Sequence, residues 1–264
     1  MRRIPVNLYN SIPVAVILAA SALTGCSYNT ALSPPADSRM IHFSATVPDA
    51  LESLPLSAVY RSKKCTRTEY DSRDKPYEVA KTNRADYPLT AVNGRVSAAV
   101  PVSGGGYCDW TLSNLTYEVR LKHPHTVDPE ITDNFGFKTV FITGNYAPAV
   151  FNGGYIPHRG DFRGNLLLFP LINEFFLGKQ EKTFNLIGDE NMVTYRLAGA
   201  ENIHLTVDYE QEMLSRWTGV KEKKPGNKSV ITYPDGEEEQ KGKIYPSYKK
   251  LLKIREARRA AAQR

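Results

Sequence analysis

Alternation with a period of two constrains this chain more than any other feature. In the clearest case Ser113, Leu115, Tyr117, Val119 and Leu121 share one side, and Asn114, Thr116, Glu118 and Arg120 the other. Ile203, Leu205, Val207 and Tyr209 alternate in the same way with Asn202, His204, Thr206 and Asp208. So do Ile41, Phe43, Ala45 and Val47 with His42, Ser44 and Thr46, until Pro48 ends the run. Successive side chains of a strand point to opposite faces, so such stretches read as strands with one buried and one wet face.

Further strands are expected over 54–61, 95–102, 137–143, 184–187 and 192–197. Asn93-Gly94 is a strong hairpin turn signal that opens the strand expected over 95–102. Residues 63–84 are polar and charged and read as a loop with a short strand at 77–80. Gly104-Gly105-Gly106 reads as a flexible bend. Residues 165–176 are apolar and read as a buried strand broken at Pro170, with a short helix as the competing assignment. Many short strands separated by turn signals predict a mainly β protein, an antiparallel β-sandwich-like body. Beyond Trp217 the composition shifts to Lys, Glu and Gly. There the sequence predicts a hairpin of 230–233 and 242–245 around Pro234-Asp235-Gly236. A final helix follows, capped by Ser247, with Tyr248, Leu251, Leu252 and Arg255 on one face.

The chain has 264 residues, 41% of them hydrophobic, which is enough for a packed core. Its positive charge is uneven: residues 221–264 hold thirteen basic and six acidic residues. The basic character belongs to the tail, whose default reading is a solvated face and whose sharper reading is contact with phospholipid headgroups or an acidic partner.

The N-terminus has Arg2 and Arg3, then an apolar run from Ile12 to Leu23, and no acidic residue before Asp37. This pattern reads as a secretory signal, too short to span a bilayer as a helix. The run ends in Leu23-Thr24-Gly25-Cys26, which resembles the lipobox of bacterial lipoproteins. The resemblance implies cleavage after Gly25, a diacylglycerol on the Cys26 thiol and acylation of the new amino group. Three acyl chains would anchor the protein in the bilayer. Ser27, where an Asp would favour inner-membrane retention, implies an outer-membrane protein facing the periplasm. The organisation expected is a signal peptide over 1–25, a lipidated tether over 26–38, a β-rich domain over 39–212 and a basic C-terminal extension over 213–264. An exported protein makes a nucleic-acid partner unlikely on compartment alone. With Cys26 acylated, Cys65 and Cys108 remain as a pair in an oxidising compartment and are expected to form a disulfide; two free thiols or a metal site are the alternatives.

The sequence offers little for catalysis. There is no Gly-x-Ser-x-Gly, no His-Glu-x-x-His and no phosphate-binding glycine loop, so no catalytic residue and no cofactor are assigned. His123 and His125 could hold a metal with Asp128, but two histidines beside a proline in a polar loop read first as solvated, and no metal site is assigned. His42 and His204 fall on the wet faces of strands. The stretch 144–164 is rich in glycine and aromatics and contains Tyr146, Phe151, Tyr155, His158 and Arg159. Aromatic residues and Arg on a loop are what contact hot spots are made of, so these five are the candidate partner-binding residues. The competing reading is that the aromatic side chains fold back to cap the core.

The segment Val59-Tyr60-Arg61-Ser62 with Cys65, followed by Gly104-Gly105-Gly106-Tyr107-Cys108-Asp109-Trp110, resembles periplasmic lipoproteins encoded near type VI secretion effectors. The resemblance covers about residues 40–122. It implies a lipid-anchored immunity-type protein that binds and inhibits a secreted antibacterial toxin, such as a phospholipase, rather than an enzyme. The alternative is a structural lipoprotein that contacts an envelope component or a secretion machine through the basic tail.

Overall fold

The computed structural model describes residues 29–144, 154–190 and 192–263. Eighteen strands and one helix follow in order. The first half holds β1 (Met40–Thr46), β2 (Leu51–Ser53), β3 (Leu56–Tyr70), β4 (Pro76–Tyr87), β5 (Thr90–Val92), β6 (Arg95–Pro101), β7 (Ser103–Gly105) and β8 (Trp110–Leu121). A 3₁₀ turn at Pro124–Thr126 leads to β9 (Asp133–Phe135) and β10 (Phe137–Ile142). Then come β11 (Ile156–Arg159), β12 (Phe162–Phe175), β13 (Glu181–Ile187), β14 (Met192–Ala198) and β15 (Asn202–Tyr209). The chain closes with β16 (Ser215–Thr218), β17 (Ser229–Thr232), β18 (Glu238–Lys241) and α1 (Tyr248–Ala262). None of the described helices is long and apolar enough to cross a membrane.

The strands form two sheets. The larger runs β18-β17-β16-β12-β15-β1-β6-β5, with β13 beside β12 and β9 beside β13. The smaller runs β11-β14-β10-β8-β3-β4, with β2 and β7 beside β8. The two are joined as a sandwich by rings from both inner faces. Phe43 of β1 lies 4.7 Å from Tyr117 of β8, and Phe162 of β12 lies 5.3 Å from Phe141 of β10 and 4.4 Å from Tyr195 of β14. The alternation of the sequence accounts for this core: Ile41, Phe43, Ala45, Leu115, Tyr117, Val119, Ile203, Leu205 and Val207 are all buried.

The sandwich is mixed rather than antiparallel. β1 and β12 pair with β15 in parallel, as do β10 and β11 with β14, β12 with β16, and β9 with β13. Alternation specifies which face a residue takes but carries no information on strand direction. The larger sheet has a second core on its other side. There Phe169, Leu171, Ile187, Met213, Ile231 and Tyr233 meet Leu251 and Ile254 of α1. β12 is therefore buried on both faces, with Leu168 and Ile172 in the main core, and this explains its unbroken apolar run. Pro170 does not break the strand. It pairs with Leu186 of β13 on one side, and on the other it lies between the end of the β15 ladder at Leu168 and the start of the β16 ladder at Leu171, a gap that can accommodate a residue without an N–H.

Several local expectations change. Residues 63–84 form not a loop but the greater part of the long β3–β4 hairpin, turning over 71–75 with Asp74 at φ 55°. Its outer half is wet on both faces, so it lacks the apolar alternation that marks a half-buried strand. Residues 144–164, read as a loop, include β11 and the start of β12. The glycine bend is tightly packed: a Cβ on Gly104 would stand 2.8 Å from Leu32, Tyr60 and Trp110. Residues 30–35 lie against it, with Ser33 N donating to Gly104 O at 2.8 Å and Trp110 Nε1 to Thr30 O at 2.9 Å. The C-terminal hairpin pairs 229–232 with 238–241, so its second strand begins four residues earlier than the sequence suggested. That strand is a charged sheet edge, which resists pairing with other chains. Ser247 occupies the N-cap position of α1, but its carbonyl rather than its hydroxyl meets the first-turn amides. The Asn93-Gly94 turn forms as expected, with φ of 49° and 72° joining β5 to β6.

The Cys65–Cys108 disulfide is present, with the Cα atoms 5.3 Å apart. Cys65 lies inside β3 rather than beyond its end. The β3–β4 register shifts between Arg61 and Thr66, and the bridge fastens this bulge to the turn before β8. Ser62 completes the clamp: its Oγ accepts from Cys65 N at 2.8 Å and donates to Cys108 O.

Candidate functional site

The outer face of the larger sheet carries a transverse polar row. Burying Ile41, Phe43 and Ala45 turns His42, Ser44 and Thr46 outward on β1, and burying Ile203 and Leu205 does the same for Asn202, His204 and Thr206 on β15. The register aligns Arg163 with His204, His204 with Ser44, Ser44 with Ser97, and Ser97 with Thr90. Neighbouring strands are about 4.8 Å apart, so these side chains stand shoulder to shoulder across five strands. Arg95, two residues from Ser97 on β6, reaches back into the row.

Ser44 is the hub. It is only 8% exposed although it points away from the core. Its Oγ lies 3.0 Å from His204 Nδ1 and receives a hydrogen bond from Arg95 Nη2 at 3.0 Å. If Arg95 donates and the hydroxyl gives its proton to Nδ1, the imidazole is neutral and its remaining proton is on Nε2. Burial first, and then the charges of Arg95 and Arg163, hold His204 below the usual imidazole range. Around these residues is an open trough of about 600 Å³, lined by His42, Ser44, Arg95, Ser97, Arg163 and His204 among others.

Asp161 closes one end of the trough, at the point where the chain passes from β11 in one sheet to β12 in the other. Its Oδ1 accepts from Glu201 N and Asn202 N, each at 2.9 Å, and its Oδ2 from Asn202 Nδ2 at 2.7 Å. These bonds, the Glu201 amide first, hold its carboxyl below the ordinary range. Among the described residues Asp161 is the only carboxylate lining the trough, and it is committed to the 201–202 turn. Ser44 and His204 are a hydroxyl and imidazole in contact. Among the described residues no carboxylate orients the other ring nitrogen, so the pair lacks the third member of a nucleophilic triad.

Of the five residues singled out in 144–164, the three that are described do not form one cluster. Tyr146 and Phe151 lie outside the described residues. Tyr155 is 41% exposed and carries the Arg196 guanidinium 4.1 Å above its ring, with Arg196 Nη1 donating to the phenol oxygen at 3.2 Å. Ile156 beside it is 54% exposed, on a strand that forms the edge of the smaller sheet. His158 turns the other way. Its Nε2 is 3.0 Å from Asp161 O and its ring meets Phe162 edge-on at 5.2 Å, so it supports the wall of the trough. Arg159 is exposed at the end of β11, opposite Ala198. His123 precedes the 3₁₀ turn and His125 lies within it, and Asp128 is bound by Lys182 Nζ at 3.1 Å and Arg216 Nη1 at 3.3 Å. No three potential ligands are grouped for a metal among the described residues.

Sequence reasoning missed Arg196 and the trough. Two histidines midway along two alternating stretches were the available signal. The parallel pairing that brings residues 44 and 204 together has no local signature. Comparison with family models, curated protein sequences and solved structures found no match to this chain.

Proposed function

We propose that this protein is a lipid-anchored lipoprotein of the outer membrane, facing the periplasm, that acts by binding and inhibiting a secreted antibacterial toxin, an immunity role, rather than by catalysis. The observation that carries the binding reading is the exposed edge at Tyr155, Ile156 and Arg196. An aromatic ring under a guanidinium at an exposed sheet edge, with an uncovered aliphatic side chain on the other face of the same edge strand, is the composition of an interface anchor. The Leu23-Thr24-Gly25-Cys26 motif supports the anchor, and the Cys65–Cys108 bridge suits an oxidising compartment. Anchoring would concentrate the inhibitor where a membrane-directed toxin acts.

The test is a deletion strain grown alone and beside toxin-delivering sister cells. Lysis only in the mixed culture, rescued by the wild-type gene and not by the Tyr155→Ala/Arg196→Ala variant, supports the proposal. Rescue by that variant would remove this surface from the account. Envelope defects in the strain grown alone would favour the structural alternative. That reading draws on the exposed Lys249 and Lys253 of α1, a basic surface open to an envelope component.

A further inference from the structure

We propose that the trough over β6, β1, β15 and β12 is a binding site for a phosphoryl oxyanion carried on a larger molecule. This goes beyond the toxin-binding reading and does not depend on it. Four cationic or ionisable nitrogen side chains, His42, Arg95, Arg163 and His204, line the trough against one carboxylate, and Asp161 has its oxygens engaged by the 201–202 turn. Arg163 makes no hydrogen bond or ion pair among the described residues, and Arg95 gives one N–H to Ser44. A guanidinium has five N–H donors in a planar fork, so most of this donor capacity is unspent.

The arrangement is also preorganised. Arg163 heads the row and Arg95 reaches into it from β6, and both bear electrostatically on His204. The backbone beneath is fixed by ladders on both sides of β1 and β15. Positive charge gathered in this way repels itself until an anion arrives. A tetrahedral phosphoryl group directs its oxygens along several axes, which suits donors that approach from different strands better than the two coplanar oxygens of a single carboxylate do. The trough, at about 600 Å³, is of the size that holds a whole small molecule rather than a bare ion, so the group belongs to an ester. A lipid headgroup and a soluble phosphate ester share this chemistry.

The test uses the full chain with Cys26→Ser, so that no anchor contributes to vesicle binding. Inorganic phosphate, glycerol phosphate and citrate are titrated by calorimetry, and vesicles of phosphatidylglycerol or of phosphatidylcholine by flotation. Saturable binding of glycerol phosphate identifies a soluble ester as the source. Binding to phosphatidylglycerol vesicles alone identifies a headgroup. In either case Arg163→Ala should weaken binding by about tenfold or more at unchanged melting temperature, and Lys249→Glu should leave it intact. The His204 ring titration, followed by NMR, should move upward on saturation in the parent and not in Arg163→Ala. The proposal is overturned if none of the phosphoryl probes binds, if citrate binds as tightly as phosphate, or if Arg163→Glu binds as well as the parent.

Discussion

The two wet sheet surfaces of this molecule handle charge in opposite ways. On the outer half of the β3–β4 hairpin charges of both signs are interleaved: Arg67 pairs with Glu69 and Arg73 with Asp71, while Thr68 donates to Glu78 and Tyr77 to Glu69. In the trough over β6, β1, β15 and β12 two guanidinium groups face one carboxylate, Asp161, whose oxygens are engaged by the 201–202 turn. The first pattern keeps an exposed hairpin soluble and well defined. The second is tied across β15, β1 and β6 by the Ser44–His204 and Arg95–Ser44 bonds, yet leaves most of the guanidinium donors open. Like charges kept together on a rigid surface indicate a ligand-binding face; balanced ones indicate solvated scaffold.

Four substitutions would break or sharpen this contrast. The largest effect belongs to the layer beneath the trough. Phe43→Ala removes a fully buried ring that meets Tyr117 and Phe141 and should destabilise by about 3–5 kcal/mol in urea unfolding. Next comes the staple at the base of the hairpin. Cys65→Ser/Cys108→Ser opens a link across 43 residues and should cost about 4 kcal/mol on the chain-entropy account. Ladder bonds and packing hold the trough independently, so its anion affinity should persist in that variant under native conditions. If the affinity collapses with the bridge removed, the two surfaces are not independent.

The pH dependence is smaller and has a definite sign. His204 in the folded protein is held below its ordinary value, so near and below that value the unfolded chain binds the extra proton more readily. Its contribution is present above the imidazole range, and stability should fall as pH drops through it. His204→Gln should flatten the slope of the unfolding midpoint between about pH 7 and 5. The smallest effect is expected on the hairpin. Arg67→Ala breaks an exposed pair and should change stability by less than about 1 kcal/mol. A larger change would show that the hairpin charges are structural, not merely solvated.

What was legible in the sequence follows the same division. Strands buried on one side announced themselves: over 41–46, 115–121 and 202–209 the faces are those that alternation assigns, whereas at Ser113 and Asn114 a register irregularity buries both residues. The 65–108 pairing followed from cysteine parity and compartment. The hairpin was misread because Thr66, Thr68, Val79 and Thr82 have β-branched side chains but no buried face to mark a period. Pro170 was taken for a break because its place between two successive neighbours cannot be seen along the chain. The trough was unreadable for a deeper reason. Its hub pairs residues 44 and 204, joined by a parallel ladder between the beginning and the end of the body.

That ladder also governs when the molecule can close. β1 is among the first strands to be synthesised, yet it lies in the interior of the larger sheet between β6 and β15. One flank can be zipped early; the other stays vacant until the segment ending at Tyr209 has been made. Strand pairings so distant in sequence form slowly, in the millisecond-to-second regime typical of non-local β topologies. A nascent chain of this kind keeps its leading strand half unpartnered for most of its synthesis, and only the arrival of its late segments completes the native structure.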